Sequence, residues 1–200
     1  MMQVALVDAG GANLGSVRYA LERLGIQAQL VQRAEQLESA ERVILPGVST
    51  AATVMARLHE LDLVRPLRHL RAPLLGVCVG MQLLFEHSEE DDTPCLGLLP
   101  GRVRKLSDTI GVRVPHMGWN QLQRLRESPL LRGIEAGDHA YFVHSYAAPV
   151  TEACVASTEH GCQFAAVVQH GSIGGAQFHP ERSAGVGARL LQNFIETGLT

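Results

Sequence analysis

Short apolar runs alternate with helical patterns through the first half of this chain. Between the first two runs, Val17, Leu21 and Leu24 recur at the spacing of one helix face. Alternation of this kind predicts a parallel sheet that is covered by helices. The runs expected to form its strands are Gln3–Asp8, Gln27–Val31, Arg42–Leu45 and Pro73–Val77.

The second half of the chain has a different pattern. Residues 97–114 and 139–176 are rich in short β-type runs separated by turn signals, and a last helix is expected at about 185–196. No linker, repeat or low-complexity tract interrupts the sequence. We therefore expect one α/β domain over residues 1–200, with a central mixed, mostly parallel sheet that gains antiparallel strands late.

Composition excludes several classes of function. The net charge of −3 offers no bulk attraction for nucleic acid or an acidic membrane, and no apolar run approaches the roughly 20 residues that span a bilayer. The first residues lack the features of a signal peptide. The four cysteines show neither a C-x-x-C pair nor zinc-like spacing, so we expect reduced thiols, a cytoplasmic protein, and no metal or cofactor.

A cysteine lies at the join between a predicted strand and a predicted helix. Residues 76–82 read Gly-Val-Cys-Val-Gly-Met-Gln, and Leu83–Phe85 are expected to continue the helix. Glycines around a sharp strand-to-helix turn expose its central side chain, as in the Gly-x-Ser-x-Gly elbow. A helix start favours the thiolate form of cysteine. Cys78 is therefore a candidate nucleophile, although an isolated small cysteine is more often plain core.

A nucleophilic cysteine needs a base, and the base needs an orienting group. His179 follows a β-like run, Pro180 ends the strand, and Glu181 lies within reach of the imidazole. By itself this tripeptide is equally consistent with a surface turn. Oxyanion donors are expected from the Val79 amide and from the loop at Leu45–Thr50, where Ser49 or Thr50 alternatively caps the next helix.

Together these segments resemble the triad class of glutamine amidotransferases, which combine a Gly-x-Cys-x-Gly elbow with a late His-Pro-Glu. Within that class the chain resembles the glutaminase subunits of imidazole glycerol phosphate synthases, from about residue 4 to residue 196. Pro-His-Met-Gly-Trp-Asn is the most discriminating segment. The segments that carry this narrower match are Leu45–Val48, Gly80–Leu84, Ser88–Glu90, Pro115–Asn120, Tyr141–Tyr146 and Gln177–Ser183.

The resemblance implies a three-layer fold and a two-part reaction in histidine biosynthesis. Cys78 attacks the side-chain amide of glutamine, His179 serves as base and then acid, and Glu181 orients His179. Ammonia then passes to a (β/α)8-barrel cyclase subunit in a heterodimer, which makes imidazole glycerol phosphate and an aminoimidazole carboxamide ribonucleotide. The residues assigned to the oxyanion and to glutamine binding are Gly47, Val48, Val79, Gln82, Ser145 and Tyr146.

The resemblance also assigns a partner interface. Its residues are Asn13, Trp119, Asn120, Tyr141 and Arg182, although Asn13 can simply cap a helix and Tyr141 can be ordinary strand filler. His144 is expected to have a structural role. The acidic run Glu89–Asp92 is most simply a solvated loop.

Four positions depart from the family pattern. Ser49 stands where glycine often follows Pro-Gly-Val, and its side chain can restrict the peptide flip that assembles an oxyanion hole. Ala9 and Ala12 stand where the family often has bulkier residues or glycine. Arg182 stands where lysine is common in the family, and arginine retains the positive charge of lysine but not its geometry.

Two other functions fit parts of the sequence. One is an amidotransferase subunit of another synthase, which Pro115–Asn120 argues against. The other is a non-catalytic binding subunit, which the intact set of Cys78, His179 and Glu181 disfavours. A metal site built from His144, His170, His179 and Cys162 has no supporting spacing.

Overall fold

The structure is a computed structural model that describes residues 2–10, 14–107 and 111–199. Its helices are α1 (Leu14–Arg23), α2 (Glu35–Glu38), α3 (Ala51–Glu60), α4 (Val64–Arg68), α5 (Val79–Gln82) and α6 (Ala184–Thr197), and 3-10 turns lie at Glu90–Asp92, Pro129–Leu131 and Pro180–Arg182. Its strands are β1 (Val4–Val7), β2 (Ala28–Val31), β3 (Arg42–Leu45), β4 (Leu74–Val77), β5 (His87–Ser88), β6 (Thr93–Pro94), β7 (Arg102–Lys105), β8 (His116–Gln121), β9 (Gln123–Arg124), β10 (His139–His144), β11 (Tyr146–Ala147), β12 (Cys154–His160), β13 (Cys162–His170) and β14 (Ile173–Ala176).

The central sheet has eight strands among the described residues, in the order β2-β1-β3-β4-β14-β13-β12-β9. The strands from β2 to β14 pair in parallel, and those from β14 to β9 pair antiparallel. The predicted α/β class with a mixed, mostly parallel sheet is confirmed. Two smaller sheets, β10-β8 and β11-β7-β5-β6, lie outside it.

The core follows the apolar runs of the sequence. Strands β1 and β4 are buried at every residue, which explains why they read as continuous apolar runs rather than alternating ones. Helix α1 buries Val17 and Leu21 as its spacing predicts. Helix α6 ends at Gly198, whose left-handed conformation lets its N–H bond to the Phe194 carbonyl oxygen.

The helix after Cys78 is shorter than the sequence predicts. Helix α5 ends at Gln82, and the expected continuation through Leu83–Phe85 is wrong. The carbonyl oxygen of Leu84 accepts bonds from the N–H groups of Leu98 and Leu99, and that of Phe85 accepts from Gly97. The helix itself ends because the amides of Leu84 and Phe85 donate to carbonyl oxygens three residues back, and the Glu86 amide donates to the Gly101 carbonyl oxygen instead of that of Gln82. A helix of one turn has little macrodipole, so the thiolate of Cys78 needs another source of stabilisation.

Candidate active site

Cys78 forms a strained turn between β4 and α5. Its backbone has φ +55° and ψ −114°, a conformation that costs a residue with a side chain roughly 1–3 kcal/mol. The Cys78 amide donates to the carbonyl oxygen of Ala176 at 2.8 Å, which ties the turn to strand β14. The predicted elbow is therefore present.

Two glycines allow the elbow to pack against its neighbours. A Cβ atom at Gly80 would overlap the carbonyl group of Leu45, at the end of β3. A Cβ atom at Gly76 would lie 2.5 Å from the Gly80 carbonyl oxygen. The close approach brings the loop after β3 against the elbow, where Gly47 in turn faces the backbone of Gly80 and the side chain of Val79.

His179 and Glu181 lie just beyond the end of β14. The His179 Nδ1 atom is 2.8 Å from the Glu181 Oε1 atom, and both side chains are almost completely buried. The backbone of His179 is anchored twice: its amide donates to the Tyr141 carbonyl oxygen at 2.9 Å, and its carbonyl oxygen accepts from the Ser183 hydroxyl at 2.7 Å. The orientation predicted for Glu181 toward the imidazole is present in the structure.

The surroundings of His179 favour its protonated form. Burial by itself lowers the pKa of His179, but its hydrogen bonds and charge interactions with Cys78 and Glu181 outweigh burial and raise that pKa to about 10. An imidazolium in contact with a cysteine is the usual partner that stabilises a thiolate. The imidazole, rather than the one-turn helix, is therefore the positively charged group beside Cys78.

A pocket of about 540 Å³ opens at Cys78. It contains many of the residues predicted from the sequence, and Gly47 lies beside it against the elbow. Glu181 lies behind His179. The lining residues are Val48, Ser49, Cys78, Val79, Gln82, Glu90, Pro115, Val143, His144, Ser145, Tyr146, His179 and Arg182.

The pocket has two walls. The elbow wall is Cys78 and Val79, and the β10 wall is Val143–Tyr146. Of the residues the structure describes, none accepts a hydrogen bond from the backbone N–H of Val48 or of Val79. Both amides are therefore available as donors, as an oxyanion requires.

Gln82 connects the two walls. Its side-chain Nε2 atom donates to the Tyr146 carbonyl oxygen at 2.7 Å and to the Gln177 Oε1 atom at 3.0 Å. Both hydrogens of that amide are thus used inside the protein, and only the Gln82 Oε1 atom is left to accept from a ligand. Gln177 in turn places its Nε2 atom 3.8 Å from the Cys78 Sγ atom.

The sequence analysis missed that Glu90 lines the pocket and that buried Gln177 lies next to Cys78. Glu90 is part of the expected solvated acidic loop, yet it lines the pocket and accepts from the Ala51 amide at 2.7 Å. Burial raises the pKa of Glu90, although the bond from Ala51 partly opposes this and the Asp91 charge adds to it. Glu90 and Ala51 are 39 residues apart, so no local pattern predicts their contact.

The residues predicted for a partner interface fall into two groups. Trp119 is 53% exposed and packs edge-to-face on Tyr141, with ring centroids 5.9 Å apart, and the Arg182 guanidinium lies 5.4 Å from the Tyr141 ring. Asn120, in contrast, turns its amide inward to His116. Asn13 lies outside the described residues.

Exposed Trp119 and half-buried Tyr141 have a further apolar neighbour along β8. Met117 is 64% exposed and lies on the same face as Trp119, since side chains alternate along a strand. Arg182 both contacts Tyr141 and lines the pocket. The apolar patch, defined as Met117, Trp119 and Tyr141, therefore adjoins the pocket.

The described part of the chain contains neither a cluster of metal-binding side chains nor a helix that could span a membrane. Within residues 2–10, 14–107 and 111–199, no group of three or more histidine, cysteine or acidic side chains is arranged to hold a metal ion. In the same ranges no helix has the length and apolar character needed to cross a membrane. All four cysteines carry free thiols.

Comparison with known proteins agrees with this geometry. A family model described as "Glutamine amidotransferase class-I" matches residues 5–197, and the chain belongs to that family. A solved structure described as a glutamine amidotransferase has a TM-score of 0.75 and 23% identity, covering 98% of each chain, which supports the fold alone.

More similar relatives narrow the assignment. The imidazole glycerol phosphate synthase subunit HisH of Xylella fastidiosa is 63% identical over 196 residues, covering 98% of both chains. The subunit of the same name from Xanthomonas oryzae pv. oryzae has the same identity and coverage. Within the class-I amidotransferases, the chain groups with these HisH subunits, and it is an enzyme of the glutamine amidotransferase type.

Proposed function

We propose that this chain hydrolyses glutamine to glutamate and ammonia as the glutaminase subunit of an imidazole glycerol phosphate synthase, in histidine biosynthesis. One observation carries the proposal. The strained Cys78 elbow, the buried His179–Glu181 pair and two available amides meet at a single pocket. This is the set of groups that acyl transfer through a thioester requires.

The reaction begins at the Cys78 thiolate. Its sulfur attacks the side-chain carbonyl carbon of glutamine, and the resulting oxyanion accepts hydrogen bonds from the amides of Val48 and Val79. Because its raised pKa leaves His179 protonated at the start, it acts first as an acid, not first as the base that the resemblance implies. The carbon–nitrogen bond breaks, His179 donates a proton to the leaving nitrogen, and ammonia departs. Glu181 holds the imidazole and stabilises its positive charge throughout.

The thioester is then hydrolysed. His179, now neutral, removes a proton from a water molecule, which attacks the same carbonyl carbon, and glutamate leaves as the Cys78 thiolate re-forms. Free ammonia in water becomes mostly ammonium, which is not nucleophilic. Direct transfer into a partner is therefore the useful fate for this product.

We propose that the partner is a (β/α)8-barrel cyclase subunit that binds the apolar patch. An exposed tryptophan and methionine with a half-buried tyrosine, beside the pocket, are typical of an interface core. We further propose that the heterodimer is cytoplasmic, and the four free thiols are consistent with a reducing compartment. The HisH names of relatives at 63% identity favour this partner over another synthase.

The test is a glutaminase assay of the chain alone and then with a purified cyclase subunit and its nucleotide ligand. We expect a large increase in the complex, and a loss of roughly 10³-fold or more in Cys78→Ala. Equal activity with and without the partner would disprove the dependence on the cyclase. An inactive complex, shown to be assembled, would indicate a non-catalytic binding subunit.

A further inference from the structure

A series of hydrogen bonds leads from the buried face of β8 to the pocket. The Asn120 Nδ2 atom is 3.2 Å from the His116 Nε2 atom, and the His116 Nδ1 atom is 3.1 Å from the His144 Nε2 atom. The His144 Nδ1 atom is 2.8 Å from the Tyr146 carbonyl oxygen. Four residues from strands β8, β10 and β11 thus form one continuous chain, which we call the histidine chain.

The direction of every bond in the histidine chain follows from its pocket end. A carbonyl oxygen only accepts, so the Nδ1 atom of His144 carries the proton and its Nε2 atom is bare. That bare nitrogen must accept from the Nδ1–H group of His116. The Nε2 atom of His116 is then also bare, and it accepts from the Asn120 side-chain amide.

The Asn120 end of the histidine chain independently gives the same hydrogen-bond directions. The Asn120 Nδ2 atom also donates to the Glu159 carbonyl oxygen at 2.8 Å, and the Asn120 Oδ1 atom accepts from the Gln121 amide at 2.8 Å. Both neighbours allow only this orientation of the Asn120 amide. Reasoning from either end therefore places the proton of each histidine on Nδ1.

Both histidines are held neutral, as this arrangement requires. Burial lowers the pKa of His116 to about 4, with a smaller contribution from the nearby His160. Burial also lowers the pKa of His144 to about 3; the bond to Tyr146 partly opposes this, and His116, His160 and His179 add to the lowering. At neutral pH each imidazole is one donor and one acceptor.

The histidine chain ends on a group that shapes the pocket. The Tyr146 carbonyl oxygen accepts from His144 and, at 2.7 Å, from the Gln82 side chain. Gln82 continues to Gln177, whose Nε2 atom faces the Cys78 Sγ atom. Any movement of the Tyr146 carbonyl therefore displaces the Gln82 side chain, which lines the pocket.

We propose that Asn120, His116 and His144 are positioning residues for the glutamine pocket, holding the Tyr146 carbonyl and, through it, the Gln82 side chain. The proposal rests on the proposed function, because the pocket is taken to bind glutamine. None of the three is a catalytic residue, since they act through Tyr146 and Gln82.

The first test is the proton position in the full-length chain. Two-dimensional ¹H–¹⁵N spectra that detect long-range couplings distinguish the two neutral imidazole forms. We expect both His116 and His144 to carry the proton on Nδ1 at neutral pH. An Nε2–H form at either residue would overturn the proposal, because one bond in the histidine chain would then lack its donor.

The second test compares two variants of His116 in the complex with the cyclase subunit. His116→Asn keeps an amide N–H near the position of Nδ1, whereas His116→Leu fills the space without a donor. We expect the KM for glutamine to rise about tenfold in His116→Leu and about twofold in His116→Asn, with kcat changed less than about threefold in both. Exposed His170, changed to leucine, is the control with unchanged KM.

The outcomes separate the two proposals. If the wild-type complex hydrolyses glutamine and the two His116 variants have equal KM values, the proposed function stands and the positioning role is overturned. If the wild-type complex does not hydrolyse glutamine, the proposed function fails and the role in glutamine binding fails with it. Thermal unfolding of each variant shows whether a change in KM accompanies a loss of folding, and folded His116→Leu with wild-type KM also overturns the proposal.

Discussion

Backbone packing holds the elbow wall of the pocket, whereas side-chain hydrogen bonds hold the Tyr146 carbonyl group in the β10 wall. At the elbow, Gly76 and Gly80 let main chain lie directly against main chain, so little can move without a clash. At the β10 wall, the Tyr146 carbonyl depends on two donors, His144 and Gln82. Backbone packing thus fixes the position of Cys78. The Tyr146 carbonyl group, in contrast, is positioned by side chains that can be substituted one at a time.

This difference separates two kinds of effect. Changes at the elbow wall should alter folding stability and the chemical step, because the backbone there sets the position of Cys78. Changes at the β10 wall should alter mainly the binding of glutamine. Substitutions at and around the two walls test this separation, beginning with the one that should have the largest effect.

Gly80→Ala should be the most damaging. The new Cβ atom would overlap the Leu45 carbonyl group, and backbone cannot yield as a flexible side chain can. We expect a loss of about 3 kcal/mol or more in the free energy of unfolding, measured by chemical denaturation. Gly185→Ala is the matched control: a Cβ atom there meets open space inside α6, so stability should stay level or rise by up to about 1 kcal/mol. A Gly80→Ala variant as stable as the wild type would contradict the packing argument.

Glu181→Gln should reduce glutaminase activity about 100-fold, because the His179 imidazolium loses its negative partner. The pKa of His179, followed by NMR titration, should fall from its raised value near 10. The sign for stability follows from that raised pKa: the contribution of the protonated form is complete below about pH 6.5 and is lost as the pH rises toward 10.

The loss of stability with rising pH should be smaller in Glu181→Gln than in the wild type. A His179 pKa that is unchanged in this variant would show that Glu181 does not determine the protonation of the imidazole. Glu196→Gln is the control, since the Glu196 ion pair with Arg132 is exposed.

Gln82→Met keeps a similar volume but removes the donor to Tyr146. We expect the KM for glutamine to rise about tenfold with kcat changed much less, measured by steady-state kinetics of the complex. Gln192→Met, on α6, is the control for the same substitution, because the hydrogen bond from Gln192 to Glu196 is exposed. A fall confined to kcat would place Gln82 with the elbow wall and would break the distinction between the walls.

Cys78→Gly and Cys78→Ala should both be inactive but differ in stability. The positive φ at this position strains alanine and not glycine, so we expect Cys78→Gly to be about 1 kcal/mol more stable in chemical denaturation. Greater stability of the alanine variant would mean that the elbow relaxes when the thiol is removed.

The parallel half of the fold was predictable because its signals are local. Strand β3 has the predicted bounds. Strands β1, β2 and β4 each begin one residue later than expected, and β1 also ends one residue earlier. The end of α5 was not predictable. It depends on the Glu86 amide, which donates to the Gly101 carbonyl oxygen instead of that of Gln82, and no pattern within the helix itself records that contact.

The sequence by itself determined the alternation of strands and helices in the first half of the chain, the elbow glycines, and the contact of His179 with Glu181 two residues on. These features depend on backbone conformation and on residue type at short range. Only the tertiary structure decided that Glu90 lines the pocket, that Gln177 lies next to Cys78, that Asn120 turns inward, and that His116 and His144 form a directed chain. Each of these depends on contacts between residues far apart in the sequence, and hydrogen-bond direction is determined only when both partners are in place.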